Sequence, residues 1–134
     1  PSKGSTAVHI RRGDNPAYLP LNYYKTAIEK ASSINNFSFD IFTDDPNWVD
    51  SCVEFKNANN IFGPSLKDDI KTDTIKTFAN MLKYENYIIS NSTYSWWAAK
   101  IGEKRNSKIY YPFPHRPTYQ PDIYYENWIE INHN

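Results

Sequence analysis

Ala7-Val8-His9-Ile10-Arg11-Arg12-Gly13-Asp14 is the stretch on which the reading of the fold turns. Its short apolar, β-branched start reads as a buried strand over residues 7–11. Gly13 and the Asn15-Pro16 pair then break it. Two adjacent arginines, a glycine and a carboxylate therefore stand at the carboxyl end of a first strand, where a parallel α/β sheet binds its ligands. Arginine is always charged and offers five donors in a planar fork, a geometry suited to a diphosphate. One of the pair is expected to reach an anion while the other pairs with Asp14 or a second carboxylate; two surface arginines flanking a strand are the simpler alternative. His9 shares the face of Arg11 by period-two alternation, either as a core histidine or as a contact to a base or phosphate.

Working outward, the apolar groups Tyr24, Ala27, Ile28 and Ala31 have the spacing of a helix with one buried stripe over residues 21–33, started by Asn22 or a neighbour and ended at Asn35-Asn36. Phe37-Ser38-Phe39-Asp40-Ile41-Phe42-Thr43 alternates as a second strand. Asp44-Asp45-Pro46 stops it and opens a short helix through Trp48 and Val49. A weak third strand falls at residues 53–55 or 60–62. Asp73 or Thr74 can cap a further helix with Ile75, Phe78, Met81 and Leu82 as its core stripe. Tyr87-Ile88-Ile89 is a short strand, residues 93–101 a helix ended by Gly102, and Ile109-Tyr110-Tyr111 a last strand before Pro112. The tail, residues 113–134, is rich in proline and aromatic residues and is expected to wrap the domain surface. This order predicts an α/β fold with a parallel sheet covered by helices on both faces.

The 134 residues suit a single domain. Fifteen basic and fifteen acidic side chains cancel, so no overall field favours nucleic acid, and an anion must be held locally. Eleven Tyr, seven Phe and four Trp are many for this length, and rings with polar tips suit pockets and interfaces. The single cysteine, Cys52, excludes an intrachain disulfide and is expected to be a small buried hydrophobe. There is neither a signal-peptide core nor an eighteen-residue apolar run, so a soluble chain is expected. Its abrupt opening, six residues before a strand, is expected of a piece of a longer protein.

Ser90-Asn91-Ser92-Thr93 places four short polar groups between a strand and a helix, followed by Trp96-Trp97. Hydroxyls and first-turn amides converging there would bind phosphate with the help of the helix dipole; an ordinary N-cap needs only one of the four. Asp44-Asp45 could ligate magnesium, but capping and loop anchoring is the favoured reading. Neither a G-x-G-x-x-G nor a P-loop is present.

With these segments assembled, the chain resembles the α-1,2-fucosyltransferases of glycosyltransferase family 11. His9-Ile10-Arg11-Arg12-Gly13-Asp14 matches the family's H-x-R-R-G-D, residues 39–45 with Trp48 match its F-x-x-F-S-D-D and tryptophan, and Ile88-Ile89-Ser90-Asn91-Ser92-Thr93-Tyr94-Ser95-Trp96-Trp97 matches its I-I-x-N-S-T-F-S-W-W. The resemblance implies an inverting transferase of two Rossmann-like domains in the GT-B arrangement, moving fucose from GDP-fucose to a galactose-containing glycan. This chain would be the C-terminal, donor-binding half, and an N-terminal acceptor-side domain would lie outside it. No metal and no cofactor are expected beyond the donor substrate. A cytoplasmic location, peripheral to the inner face of a membrane, goes with this activity.

Carried over by the same resemblance, Arg12 is the first choice for the β-phosphate and the developing charge, Arg11 for pairing or phosphate, and His9 for the guanosine. Ser92, Asn91 and Thr93 would hold phosphates, with Ser95 beside them. Asp14 stands as a candidate general base or, preferably, a partner of Arg11 or Arg12, with the base supplied by the half outside this chain. One departure concerns the base: the family's D-F-x-x-[ML] reads Thr77-Phe78-Ala79-Asn80-Met81 here, and Asp73, one turn earlier, is the candidate replacement for the missing acid. An isolated GDP-binding module without transfer activity, or a fucosyltransferase of different linkage, is the alternative.

Overall fold

The computed structural model describes residues 3–13, 18–63, 70–117 and 119–133, and for residues 70–74 the backbone alone. Strands β1 (Ser5–Ile10), β2 (Ser38–Thr43), β3 (Asn60–Phe62), β4 (Asn86–Ile88), β5 (Ile109–Phe113) and β6 (Ile129–Asn132) alternate with helices α1 (Leu21–Ala31), α2 (Pro46–Ser51), α3 (Ile70–Met81) and α4 (Thr93–Gly102). The strands form one sheet in the order β3-β2-β1-β4-β5-β6, and every pair is parallel. This is the expected α/β class, a Rossmann-like doubly wound sheet.

Period-two alternation divides the core. Val8, Ile10, Phe39, Ile41, Ile88 and Tyr110 face α1 and α2, where Tyr23, Tyr24, Ala27, Ala31 and Val49 cover them. Ala7, Phe42, Tyr87, Ile89 and Ile109 face the other way, onto Met81 of α3 and Ala98 and Ala99 of α4. β1 is buried along its whole length, as a central strand covered on both faces must be. Asn86, 3% exposed, joins three strands at the amino ends: its amide donates to Lys3 O and Ser5 O, and its carbonyl accepts from Lys108 N at 3.0 Å. A buried amide is stable only when satisfied in this way. At the opposite end the Tyr23 hydroxyl donates to Ile89 O at 2.6 Å and fastens α1 to the end of β4.

Several local expectations are corrected. The tail does more than wrap the surface: Ile129–Asn132 extends the sheet as β6, paired to β5 from Tyr110↔Ile129 to Phe113↔Asn132. β5 also continues through Pro112. Proline is tolerated because the peptide groups of residues 110 and 112 face β4, and β4 has ended; its last bond there is Ile89 N to Tyr110 O at 3.0 Å. Of the two places for a third strand, residues 60–62 form it, while Val53–Phe55 is a 3-10 turn. α3 begins at Ile70, so Asp73 and Thr74 lie within it rather than capping it, and Ile75 is 64% exposed instead of joining the core stripe. α1 ends at Ala31, ahead of Asn35-Asn36; Asn36 adopts φ 60 just before β2, a conformation that asparagine tolerates better than most residues.

Gly102 closes α4 without a left-handed φ; close approach is what demands glycine. A Cβ there would lie 2.1 Å from Tyr87 Oη, 2.8 Å from Tyr87 Cζ and 3.1 Å from Leu82 Cα. Tyr87 Oη is fixed by donating to Met81 O at 2.7 Å, so the ring cannot retreat without losing a buried bond. Gly102→Ala is expected to destabilise the domain by about 2 kcal/mol through overpacking, seen as a lower urea midpoint at an unchanged slope.

Candidate functional site

In strand order 3-2-1-4-5-6 the chain reverses its direction of winding between β1 and β4, and the crevice outside the carboxyl ends of those strands is where such sheets bind ligands. Residues 11–13 leave β1 at that edge. Residues 89–92 leave β4 beside them and enter α4, whose N-cap is Ser92. The two segments singled out in the sequence, about eighty residues apart, thus meet at one place.

On the α4 side, His9 Nδ1 lies 2.9 Å from Ser90 Oγ. Ser90 Oγ is 3.1 Å from both Ser92 Oγ and Ser95 Oγ. Ser95 Oγ accepts from Ser90 N at 3.1 Å, and Ser92 Oγ accepts from Ser95 N at 3.3 Å. Ser95 is fully buried and Ser92 9% exposed, so Ser95, expected beside the ligand, braces the loop from within. Thr93 is exposed at the first helical position, at the positive end of the α4 dipole. Tyr94 lays its ring against His9 at 5.3 Å, and Phe78 of α3 meets Tyr94 at 5.4 Å.

Burial pushes the His9 imidazole down to about 4, with Asp44 opposing this and Arg11 adding to it. The unfolded ring titrates near 6.5. Between those values the unfolded chain holds a proton that the folded chain does not, so this contribution is complete above pH 6.5 and is lost as pH falls toward 4. His9 alone is expected to remove about 2 kcal/mol of stability between pH 7 and pH 5. Urea unfolding at both values measures it, and His9→Asn removes that part of the slope.

The two arginines part company at the end of β1. Arg12 turns toward α2, its guanidinium 3.7 Å from the Trp48 ring centre and 4.1 Å from that of Tyr18. Its Nε stands 4.0 Å from Asp45 Oδ2. Asp45 also caps α2 by accepting from Trp48 N at 3.2 Å. Asp44 accepts from Arg12 N at 2.8 Å and Gly13 N at 2.9 Å, so both aspartates do the capping and anchoring favoured from sequence. Gly13 owes its place to that carboxylate rather than to a turn needing positive φ, since a Cβ would lie 2.9 Å from Asp44 Oδ2. Arg11 follows His9 in the alternation, on the α4 side, and its charge acts on the His9 imidazole.

Asn91, 3% exposed, donates from Nδ2 to His115 O at 2.9 Å and holds the segment after β5 against this loop. His115 itself is 8% exposed, with Nδ1 2.5 Å from Tyr124 Oη. Sequence reasoning passed over His115, because no spacing within the tail connects it to residue 91. Asp14 lies outside the described residues. Asp73 is on α3 one turn before the half-buried Thr77, and its side chain is likewise outside the description. A cavity of about 370 Å³ lined by Ser5, Asp40, Phe62, Asn80, Lys83 and Tyr84 contains none of the residues singled out for ligand binding.

Strand order and helix placement define a protein of the Rossmann-like class. Glycosyl transferase family 11 matches residues 2–132 of the sequence, and the chain belongs to that family. It is similar to the O-antigen biosynthesis glycosyltransferase WbnK of Escherichia coli, 36% identical over 105 residues, which are 71% of this chain and 33% of that protein. It is also similar to an alpha-1,2-colitosyltransferase of Escherichia coli, 36% identical over 110 residues, covering 71% of this chain and 35% of that protein. The chain therefore spans about a third of the length of these relatives. No solved structure matches it. Among the described residues, no helix is long and apolar enough to cross a membrane.

Proposed function

We propose that this chain carries the donor site of an inverting transferase that moves fucose, or a closely related deoxysugar, from its GDP conjugate to a galactose-containing glycan in α-1,2 linkage. The observation that carries the reading is the meeting of His9 and the Ser92-capped end of α4 at the β1/β4 crevice, with the charge of Arg11 close enough to act on His9. The α-1,2 linkage in the name of one relative supports the linkage. An O-antigen role in the name of the other supports a glycan acceptor.

In this reaction an acceptor hydroxyl attacks the anomeric carbon, the bond from that carbon to the β-phosphate oxygen breaks, and the hydroxyl proton passes to a general base. The leaving diphosphate gathers negative charge. Arg11 and the α4 terminus are the groups placed to meet it, which is the kind of preorganised electrostatic help that lowers such barriers. Arg12, first choice for the β-phosphate from sequence, is better suited to holding the loop: Trp48, Tyr18 and Asp45 already engage its guanidinium. Asp73 remains the candidate for the guanine edge.

Calorimetric titration with GDP, GMP and GDP-fucose tests the reading. GDP is expected to bind, GMP more weakly, and EDTA to leave the GDP affinity unchanged because the diphosphate is met by protein cations. Absence of GDP binding would refute the donor site. The chain's coverage of only a third of its relatives favours one second reading, a donor-binding module that needs further residues for transfer; GDP binding without transfer or donor hydrolysis would establish it.

A further inference from the structure

The serine cluster beneath α4 contains more hydroxyls than capping requires, and a buried imidazole ends it. A hydroxyl has one proton to give, and Ser90 Oγ has three polar neighbours, His9 Nδ1 at 2.9 Å and the Ser92 and Ser95 hydroxyls at 3.1 Å each; toward Ser92 it is the donor, and toward Ser95 either hydroxyl can give. If Nδ1 accepts, Ser90 spends its proton on the ring, Ser92 receives none from it, and nothing fixes the direction of the Ser92 proton. If Nδ1–H donates, Ser90 gives its proton to Ser92 Oγ, which also accepts Ser95 N–H at 3.3 Å. Ser92 has then filled its acceptor positions. Within the cluster its proton has only Ser95 Oγ at 3.5 Å, at the far limit of a hydrogen bond.

We propose that His9 is a positioning residue for the phosphate site, acting through Ser90: its Nδ1–H sets the direction of the hydroxyl chain so that Ser92, at the cap of α4, has a proton to give to an anion. The proposal rests on the donor-site reading above and deepens it. A phosphate oxygen only accepts, so a capping serine whose proton points inward is a poor partner for it, and one whose proton points outward is a good one. The ring is held for this task by Tyr94 at 5.3 Å, itself backed by Phe78 at 5.4 Å. Burial keeps the imidazole neutral at physiological pH, so one nitrogen carries a proton and the other does not. The role differs from the contact to guanosine implied by the family resemblance, because it acts on the phosphates.

Titration of GDP, inorganic pyrophosphate and guanosine separates the two. His9→Leu and Ser90→Ala are each expected to weaken GDP and pyrophosphate by the same factor, about five- to tenfold, with guanosine unchanged. The double variant should lose no more than either single one, since both break the same chain. His9→Asn, whose side-chain amide places a donor near the position of Nδ1, should recover most of the loss, which a purely structural role would not produce. If His9→Leu does not fold, Ser90→Ala and His9→Asn carry the test. Weakened GDP with unchanged pyrophosphate, or additive losses in the double variant, would overturn the role of His9 and leave the donor site standing. If the unaltered chain binds neither GDP nor pyrophosphate, the donor-site reading fails and this role falls with it.

Discussion

Arg11→Ala is expected to lower the affinity for GDP about a hundredfold or more, with the fold and melting temperature nearly intact. The magnitude follows from truncating one partner of a hydrogen-bonded charge pair between protein and ligand, a loss of roughly 2–5 kcal/mol. Arg11 is half-buried beyond the last paired residue of β1, on the side of His9 and α4. Its removal leaves the sheet core untouched. Arg12→Ala should behave in the opposite manner. Stacked between Trp48 and Tyr18 and beside Asp45, Arg12 contributes packing and cation–π attraction worth about 1–2 kcal/mol, so its loss should lower stability more than affinity. Calorimetry and thermal unfolding of the two variants side by side distinguish the roles.

Phe42→Ala should be the costliest change to the fold, about 3–5 kcal/mol for a fully buried aromatic ring. Phe42 is 1% exposed and lies on the α3 and α4 face of β2. Its ring meets Phe62 of β3 at 5.0 Å and Tyr84 at 5.6 Å. Tyr84 in turn donates to Asp40 Oδ2 at 2.5 Å, and Asn60 donates to Asp40 Oδ1 at 3.1 Å. One ring thus supports the three-residue pairing of β2 with β3 and the exit from α3. A domain of this size has about 5–15 kcal/mol to lose, so a large drop in melting temperature is expected. Well below that temperature GDP should still bind, because β1, β4 and α4 retain their places.

Much of this was legible in the chain because the signals are local and agree with one another. β1 is apolar along its length, α1 has a clean stripe, and Asp45 with Pro46 caps and opens α2. Where the sequence misled, the structure was decided by distant partners. β6 is four residues long and becomes a strand only because β5 continues past Pro112 and offers its free edge. β3, three residues long and exposed throughout, exists by pairing with β2. Ile75 has helical spacing, yet its part of α3 lies beyond the area that α4 and the sheet can cover.

The candidate site divides in the same way. Its residues cluster in two short segments and could be picked out by chemistry alone. Their orientations could not: which arginine faces α4 depends on Trp48, thirty-six residues farther on, and the inward turn of Ser95 depends on Ser90 and His9. The bond from Asn91 to the carbonyl of His115 likewise has no trace in the spacing of either residue.

The central claim is that the crevice between the carboxyl ends of β1 and β4 receives a nucleoside diphosphate. A crystal structure of the chain soaked with GDP tests it most directly. The diphosphate should lie within hydrogen-bond distance of the Arg11 guanidinium and of Ser92 and Thr93 at the start of α4. A diphosphate bound elsewhere, for instance in the cavity lined by Asp40, Lys83 and Tyr84, with the β1/β4 crevice unoccupied, would contradict the account.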